Sequence, residues 1–176
     1  YTLVNPTDGL DSPHLILQPE IKRLKEQLAV CYPVDRKDHN GRRYVNVWNK
    51  LIHYKHKYIK PQDAGWFVSM SMDNPLITSE KQCRFYLGIL VSREHQLKTK
   101  LSIHNIPSGL YAIFRHIGNY DSLPEVYQFI YEVWLPKSNY SQSSSLSFEV
   151  YRNSPRDTDI TELITEVYIP IEKTIK

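Results

Sequence analysis

Two acids and two phenols near the C-terminal end stand at strand-like spacing: Glu149 and Tyr151 in Phe148-Glu-Val-Tyr151, and Glu166 and Tyr168 in Thr165-Glu-Val-Tyr-Ile-Pro170. Side chains alternate between the two faces of a strand. If Phe148 and Val150 lie under a helix, Glu149 and Tyr151 face the other way; if Val167, Ile169 and Ile171 do so, Glu166, Tyr168 and Pro170 lie opposite. Alternation therefore predicts both carboxylates and both phenols on one face. The corresponding face of the first half carries Ser69 and Ser71 with Tyr86 and Gly88, so acidic character is confined to the second half. A partly buried carboxylate among aromatic rings can pair with a lipophilic cation, and the ring faces add roughly 0.5–2 kcal/mol. The plainer alternative is that Glu149 and Glu166 sit on an exposed sheet face or pair with Arg152 or Lys173.

Other constellations carry less. His53 and His56 are crowded by Lys50, Lys55 and Lys57, with no carboxylate or thiol to complete a metal set, so they read as a solvated helix face and no metal or cofactor is expected. Asp35-Arg-Lys-Asp38-His-Asn40-Gly41 fails the calcium-loop spacing and reads as a turn. No nucleophile elbow, phosphate loop or dinucleotide fingerprint occurs. Cys31 and Cys83 lie far apart in apolar surroundings and read as buried free thiols, which points to a reducing, cytosolic compartment. Trp48, Trp66 and Trp134 read as core.

The elements that would position the acids come in a repeat. Ile21 to Tyr32 can be laid on Ile103 to Phe114 without a gap, Ser69 to Pro75 on Glu149 to Pro155, and Phe85 to Val91 on Thr165 to Ile171. Residues 15–34 and 101–117 have strand character. Val45, Trp48, Ile52 and Tyr58 keep near-helical spacing, as do Leu123, Val126, Tyr127, Ile130 and Trp134. Ser122 with Glu125 three residues on, and Pro124 between them, form a helix-start signal. Asn74-Pro75 and Asn153-Ser154-Pro155 close hairpins, and Ser141 to Ser147 is a loop. The fold class is α+β: tandem duplicated βαββ modules with pseudo-two-fold symmetry, helices on one side of the sheet and a cleft between the halves on the other. Module one spans 15–92 and module two 101–172 within a domain of residues 15–176, and residues 1–14 read as a linker.

The segments Gly109 to Gly118, Trp134 to Tyr140, Phe148 to Tyr151 and Thr165 to Pro170, in this order, resemble the GyrI-like effector-binding family. The resemblance spans about residues 15–172 and is clearest in the second half. It implies a ligand pocket between the modules, often holding an acid that receives cationic, aromatic or amphiphilic compounds. It also implies a place in AraC-type or MerR-type bacterial regulators, with a DNA-binding domain preceding Tyr1. Glu166, within Thr-Glu-Val-Tyr-Ile-Pro, matches a recurrent acid of the family, and Tyr168, Tyr151, Glu149 and Tyr86 join it as ligand-binding candidates.

Length and charge narrow the function classes. At 176 residues with 41% hydrophobic residues the chain can bury a sizeable core, which excludes disorder, and its apolar runs are too short to cross a bilayer as helices. A net charge of +3, from 22 basic and 19 acidic residues mixed along the chain, does not by itself argue for nucleic acid or membrane. The expected partners are a small-molecule ligand, DNA only through a helix-turn-helix domain absent from these residues, no membrane, and a second copy in a homodimer. The leading expectation is a sensor that a ligand shifts between arrangements. A hydrolase with Glu166 as general acid/base, and a gyrase-inhibitor-like interaction protein, are the alternatives.

Overall fold

A computed structural model describes residues 18–34, 42–73, 84–91 and 101–174. The expectations for the linker at residues 1–14, the Asp35–Gly41 turn, Asn74-Pro75 and Cys83 lie outside these residues. The strands are β1 (Glu20–Leu24), β2 (Gln27–Pro33), β3 (Ala64–Ser71), β4 (Phe85–Val91), β5 (Ser102–Ile106), β6 (Gly109–Ile117), β7 (Tyr140–Gln142), β8 (Phe148–Tyr151) and β9 (Ile164–Lys173). They form one antiparallel sheet in the order β1-β6-β9-β8-β3-β4-β2-β5, with β7 added against β9. The mixed α+β class and its duplicated plan are those read from the sequence, with the strand–helix–strand–strand order present twice.

The repeat is written into the registers. Each first strand of a module is broken in two, and the pieces are exchanged: β1 pairs with β6 of the second half, whereas β5 pairs with β2 of the first. One register runs from Glu20↔Ile113 through Leu24↔Gly109 and resumes, unshifted, from Gln27↔Ile106 to Cys31↔Ser102. Two long strands therefore cross, with Lys25-Glu26 over Pro107-Ser108 at the centre, and the Tyr111 hydroxyl donates to the Pro107 carbonyl there at 3.1 Å. At the other end of the pseudo-two-fold axis β3 pairs with β8, and Ser69 lies opposite Glu149, its own equivalent in the repeat.

One face of the sheet is covered by helices. Helix α1 (Arg42–Tyr58) sets Val47, Leu51 and Tyr54 against Val30, Leu87 and Ile89. Its counterpart starts as α2 (Leu123–Gln128), widens to a π-helical stretch at Phe129–Trp134 and ends in the turn Leu135–Lys137. It packs Val126, Phe129 and Ile130 on Ala112, Phe114, Val167 and Ile169. The expected capping role of Ser122 is not seen: its side chain makes no cap bond and instead meets the Asn119 carbonyl at 2.7 Å and His116 Nε2 at 2.9 Å. Asn119 and Ser122 thus wrap the preceding turn, and Pro124 still occupies the first turn of α2. The Ser-rich stretch is only partly loop, because its start, with Tyr140, pairs with β9. The Asn153 side chain ties the β8–β9 connection, donating to the Glu162 carbonyl and accepting from the Ile164 N–H.

The opposite face packs a second core: Ala29, Cys31, Val68, Met70, Ile106, Tyr111, Ile113, Phe148, Val150 and Tyr168. Burial pushes the Cys31 thiol up to about 12, so it stays protonated and unreactive, as a free buried thiol should. Gly88 faces it across the β2–β4 ladder, where an added Cβ would stand 2.5 Å from Cys31 Sγ and 2.8 Å from the Val30 carbonyl oxygen. Gly88→Ala should therefore cost about 1–3 kcal/mol in urea denaturation, with part of the loss restored in a Cys31→Ala background. Equal losses in both backgrounds would show that the sulfur is not the obstacle.

Candidate functional site

The β8–β9 register separates the two acids. Glu149 lies opposite Val167 and Tyr151 opposite Thr165, whereas Glu166 lies opposite Val150 and Tyr168 opposite Phe148. Directly opposed residues project to the same side. Glu149 and Tyr151 thus point to the helical side and Glu166 and Tyr168 to the other, which corrects the expectation of a single acidic face. Phe148 and Val150 do not lie under a helix. They belong to the second core with Tyr168.

Glu149 is the hub of a polar knot beneath the helices. Its carboxylate accepts from Ser69 Oγ at 2.8 Å, from the Tyr127 hydroxyl at 2.9 Å and from the Tyr151 hydroxyl at 2.7 Å. The Tyr151 ring packs edge-on against Trp48 of α1 and Tyr120. The knot therefore joins β3 and β8 to both helical elements at the symmetry axis. Burial first, and the nearby Glu149 charge second, hold the Tyr127 and Tyr151 phenols protonated well above the usual range. The sign follows: above about pH 10 unfolded phenols release protons that the native ones keep, so stability falls as pH rises. The urea midpoint should drop from about pH 9 to about pH 11, and a Tyr127→Phe/Tyr151→Phe variant should lose part of that slope.

On the other face Glu166 is 8% exposed and fully engaged. Arg152 Nη2 donates to Oε2 at 2.6 Å, Arg115 Nη2 to Oε1 at 3.3 Å and the Tyr168 hydroxyl to Oε2 at 2.9 Å. Burial alone would raise the Glu166 pKa, but the hydrogen bonds from Arg152 and Tyr168 and the charges of both arginines outweigh it and hold the carboxyl below its ordinary value. Burial also pushes the Tyr168 phenol up to about 12, with the Glu166 charge adding to the effect. Arg152 lies over the Trp66 ring, 4.6 Å from its centroid, and Trp66 remains 49% exposed. Tyr86 stands on this same face beside His104. Of the five candidates, Glu166 and Tyr168 are in direct contact, Tyr86 shares their face three strands away, and Glu149 and Tyr151 lie on the helical side.

Pairing with Arg152, the plainer alternative for the acids, holds for Glu166. Sequence reasoning missed Arg115 and Trp66, though Arg115 stands opposite Glu166 in the β6–β9 ladder. Trp66 borders an open cavity of about 480 Å³ with Lys55, His56, Ile59, Pro61 and Gly65, at the C-terminal end of α1. Among the described residues no group of three or more His, Cys, Asp or Glu could hold a metal ion, and no helix is long and apolar enough to cross a membrane.

Known proteins resemble this chain in sequence or in fold. A DNA gyrase inhibitor of Yersinia enterocolitica is 28% identical over 112 residues, covering 61% of this chain and 69% of the relative. The EcmrR C-terminal domain superposes with a TM-score of 0.68 at 19% identity, over 89% of this chain and 98% of that domain. In the EcmrR–DNA complex the chain spans only 57% of the protein it matches. A SAV2435 structure with bound tetraphenylphosphonium matches with a TM-score of 0.58 at 15% identity, over 88% of this chain and 94% of that one. At these identities the structures testify to the fold. Residues 17–172 match the GyrI-like small molecule binding domain. Duplicated modules, exchanged first strands and an acid–tyrosine pair facing away from the helices thus accompany a sequence match over most of the chain, which belongs to the GyrI-like family.

Proposed function

We propose that the chain is the effector-binding domain of a bacterial transcription regulator and receives a small aromatic molecule on the face of Glu166 and Tyr168. The observation that carries this reading is the Glu166–Tyr168–Arg152 cluster, a fixed polar group set against aromatic side chains where the two modules meet. Binding pockets combine such an apolar lining with a few convergent polar groups. Residues from both modules line the face, Met70 and Tyr86 from one and Phe148 and Tyr168 from the other. A ligand bridging them would favour one arrangement of the modules and so change the pose of a linked helix-turn-helix domain. DNA contact belongs to that second domain, and dimerisation of the whole regulator supplies two-fold operator recognition.

The hydrolase alternative makes Glu166 a general acid/base, yet as an acid its carboxyl is held below the usual range, and as a base both of its oxygens are already engaged by Arg115, Arg152 and Tyr168. Incubation with aromatic compounds should therefore give a raised melting temperature and unchanged compound. A Trp66→Ala variant, which removes the exposed ring under Arg152, should lose much of the thermal shift while remaining folded. Chemical consumption of the compound would replace the sensor by the enzyme. A reading frame without a helix-turn-helix segment upstream of Tyr1 would remove the regulator.

A further inference from the structure

We propose that the ligand of the Glu166 face is an aromatic organic anion, a carboxylate or sulfonate, because two guanidiniums meet there on one carboxylate. This rests on the ligand-binding reading above and deepens it. The sequence pattern placed two acids on this face; the register removes Glu149 to the helical side and brings in Arg115 and Arg152. Farther along the sheet Glu20 pairs with Lys22, 3.8 Å from Oε1 to Nζ, and the exposed Glu172 ends the same row of β9. Around Glu166 two guanidiniums thus stand against one carboxylate, where alternation predicted two acids.

The geometry of the donors points the same way. A cation seeking Glu166 would have to displace Arg152 Nη2 from a 2.6 Å contact on a carboxylate side chain only 10% exposed. That exchange strips one buried charge pair to make another, with little to gain. An anion disturbs nothing. Among the described residues Arg115 and Arg152 use only Nη2 on Glu166 and Tyr168, so that Nε and Nη1 of each remain to donate. The Arg115 side chain is 49% exposed, which gives a ligand access to it. A planar guanidinium offers a two-pronged match to the oxygens of a carboxylate or sulfonate. Glu166 then acts as a positioning residue, holding both forks at the mouth of the face. The exposed ring of Trp66, already stacked by Arg152, supplies a flat surface for the aromatic part of the ligand.

Three naphthalenes that share one ring system separate the possibilities: naphthalene-2-sulfonate, naphthalene-2-sulfonamide and 2-naphthyltrimethylammonium, titrated calorimetrically into the unmodified chain. The sulfonate should bind at least roughly ten-fold more tightly than the ammonium compound, with the sulfonamide between them. Arg115→Gln leaves the Arg152–Glu166 pair in place and should weaken the sulfonate roughly ten-fold while changing the sulfonamide little. Ammonium binding equal to or tighter than sulfonate binding would overturn the anion and leave the sensor standing. Sulfonate affinity unchanged in Arg115→Gln, with the variant folded by circular dichroism, would also overturn it by assigning the anion to scattered surface lysines. Failure of all three compounds to bind would defeat the ligand-binding reading itself.

Discussion

Glu149→Ala should lower the unfolding free energy by about 3–5 kcal/mol, because it withdraws an acceptor shared by three hydroxyls that have little access to water. A hydrogen bond to a charged group contributes about 1.5–3 kcal/mol, and the contributions of one cluster do not add in full. Glu149→Gln keeps one carbonyl acceptor and adds two donors where three donors already point, so its loss should be smaller, about 1–2 kcal/mol. Urea denaturation of both variants at neutral pH gives the measurement. Affinity for an aromatic ligand, extrapolated to the folded population, should be unchanged, since Glu149 faces the helices. A loss below about 1 kcal/mol for the Ala variant would mean that water reaches the knot and replaces the carboxylate.

Phe114→Ala is expected to cost about 3–5 kcal/mol for a different reason. Phe114 is fully buried and meets the edges of Phe129 and Trp134, with ring centroids at 6.4 Å and 5.1 Å. All three belong to the contact between β6 and the π-helical stretch. Removing the central ring leaves a void that the neighbouring strand and helix can close only in part. Trp134 reports it locally: its emission should shift to the red as water approaches the indole, and the denaturation midpoint should fall. A midpoint unchanged within error would show that the π-helical stretch settles onto the sheet and fills the space.

The duplication was legible because each module must bury the same faces, so apolar residues return at a nearly constant offset. Ser69 and Glu149 even align in that repeat, a hint that they meet across the axis. The face assignment of β8 was not legible. It assumed that apolar residues mark the helical side, but this sheet packs a core on both sides, so Phe148 and Val150 satisfy the pattern while facing away from the helices. The same two-sided burial hid Arg115, which interrupts the run from Tyr111 to Phe114 without any visible alternation. Arg152 was within reach, since it follows Val150 by two residues, but its contact with Glu166 depends on the β8–β9 register, which the local sequence does not encode. For β9 the assignment held, and with it the positions of Glu166 and Tyr168.

The exchanged first strands have a consequence for how such a chain can be divided. Each half contributes a strand to the edge of the other, so neither is complete by itself, and a break between Val91 and Leu101 would leave the crossed ladder intact. Two separately produced pieces would then be obligate complements, each useless alone and each templating the other on mixing. Because the two crossing strands are equivalents in the repeat, one piece could also clasp a second copy of itself. A single-module ancestor would on this geometry have been a clasped homodimer, and fusion of its gene to itself would have converted an encounter between two molecules into a fold within one.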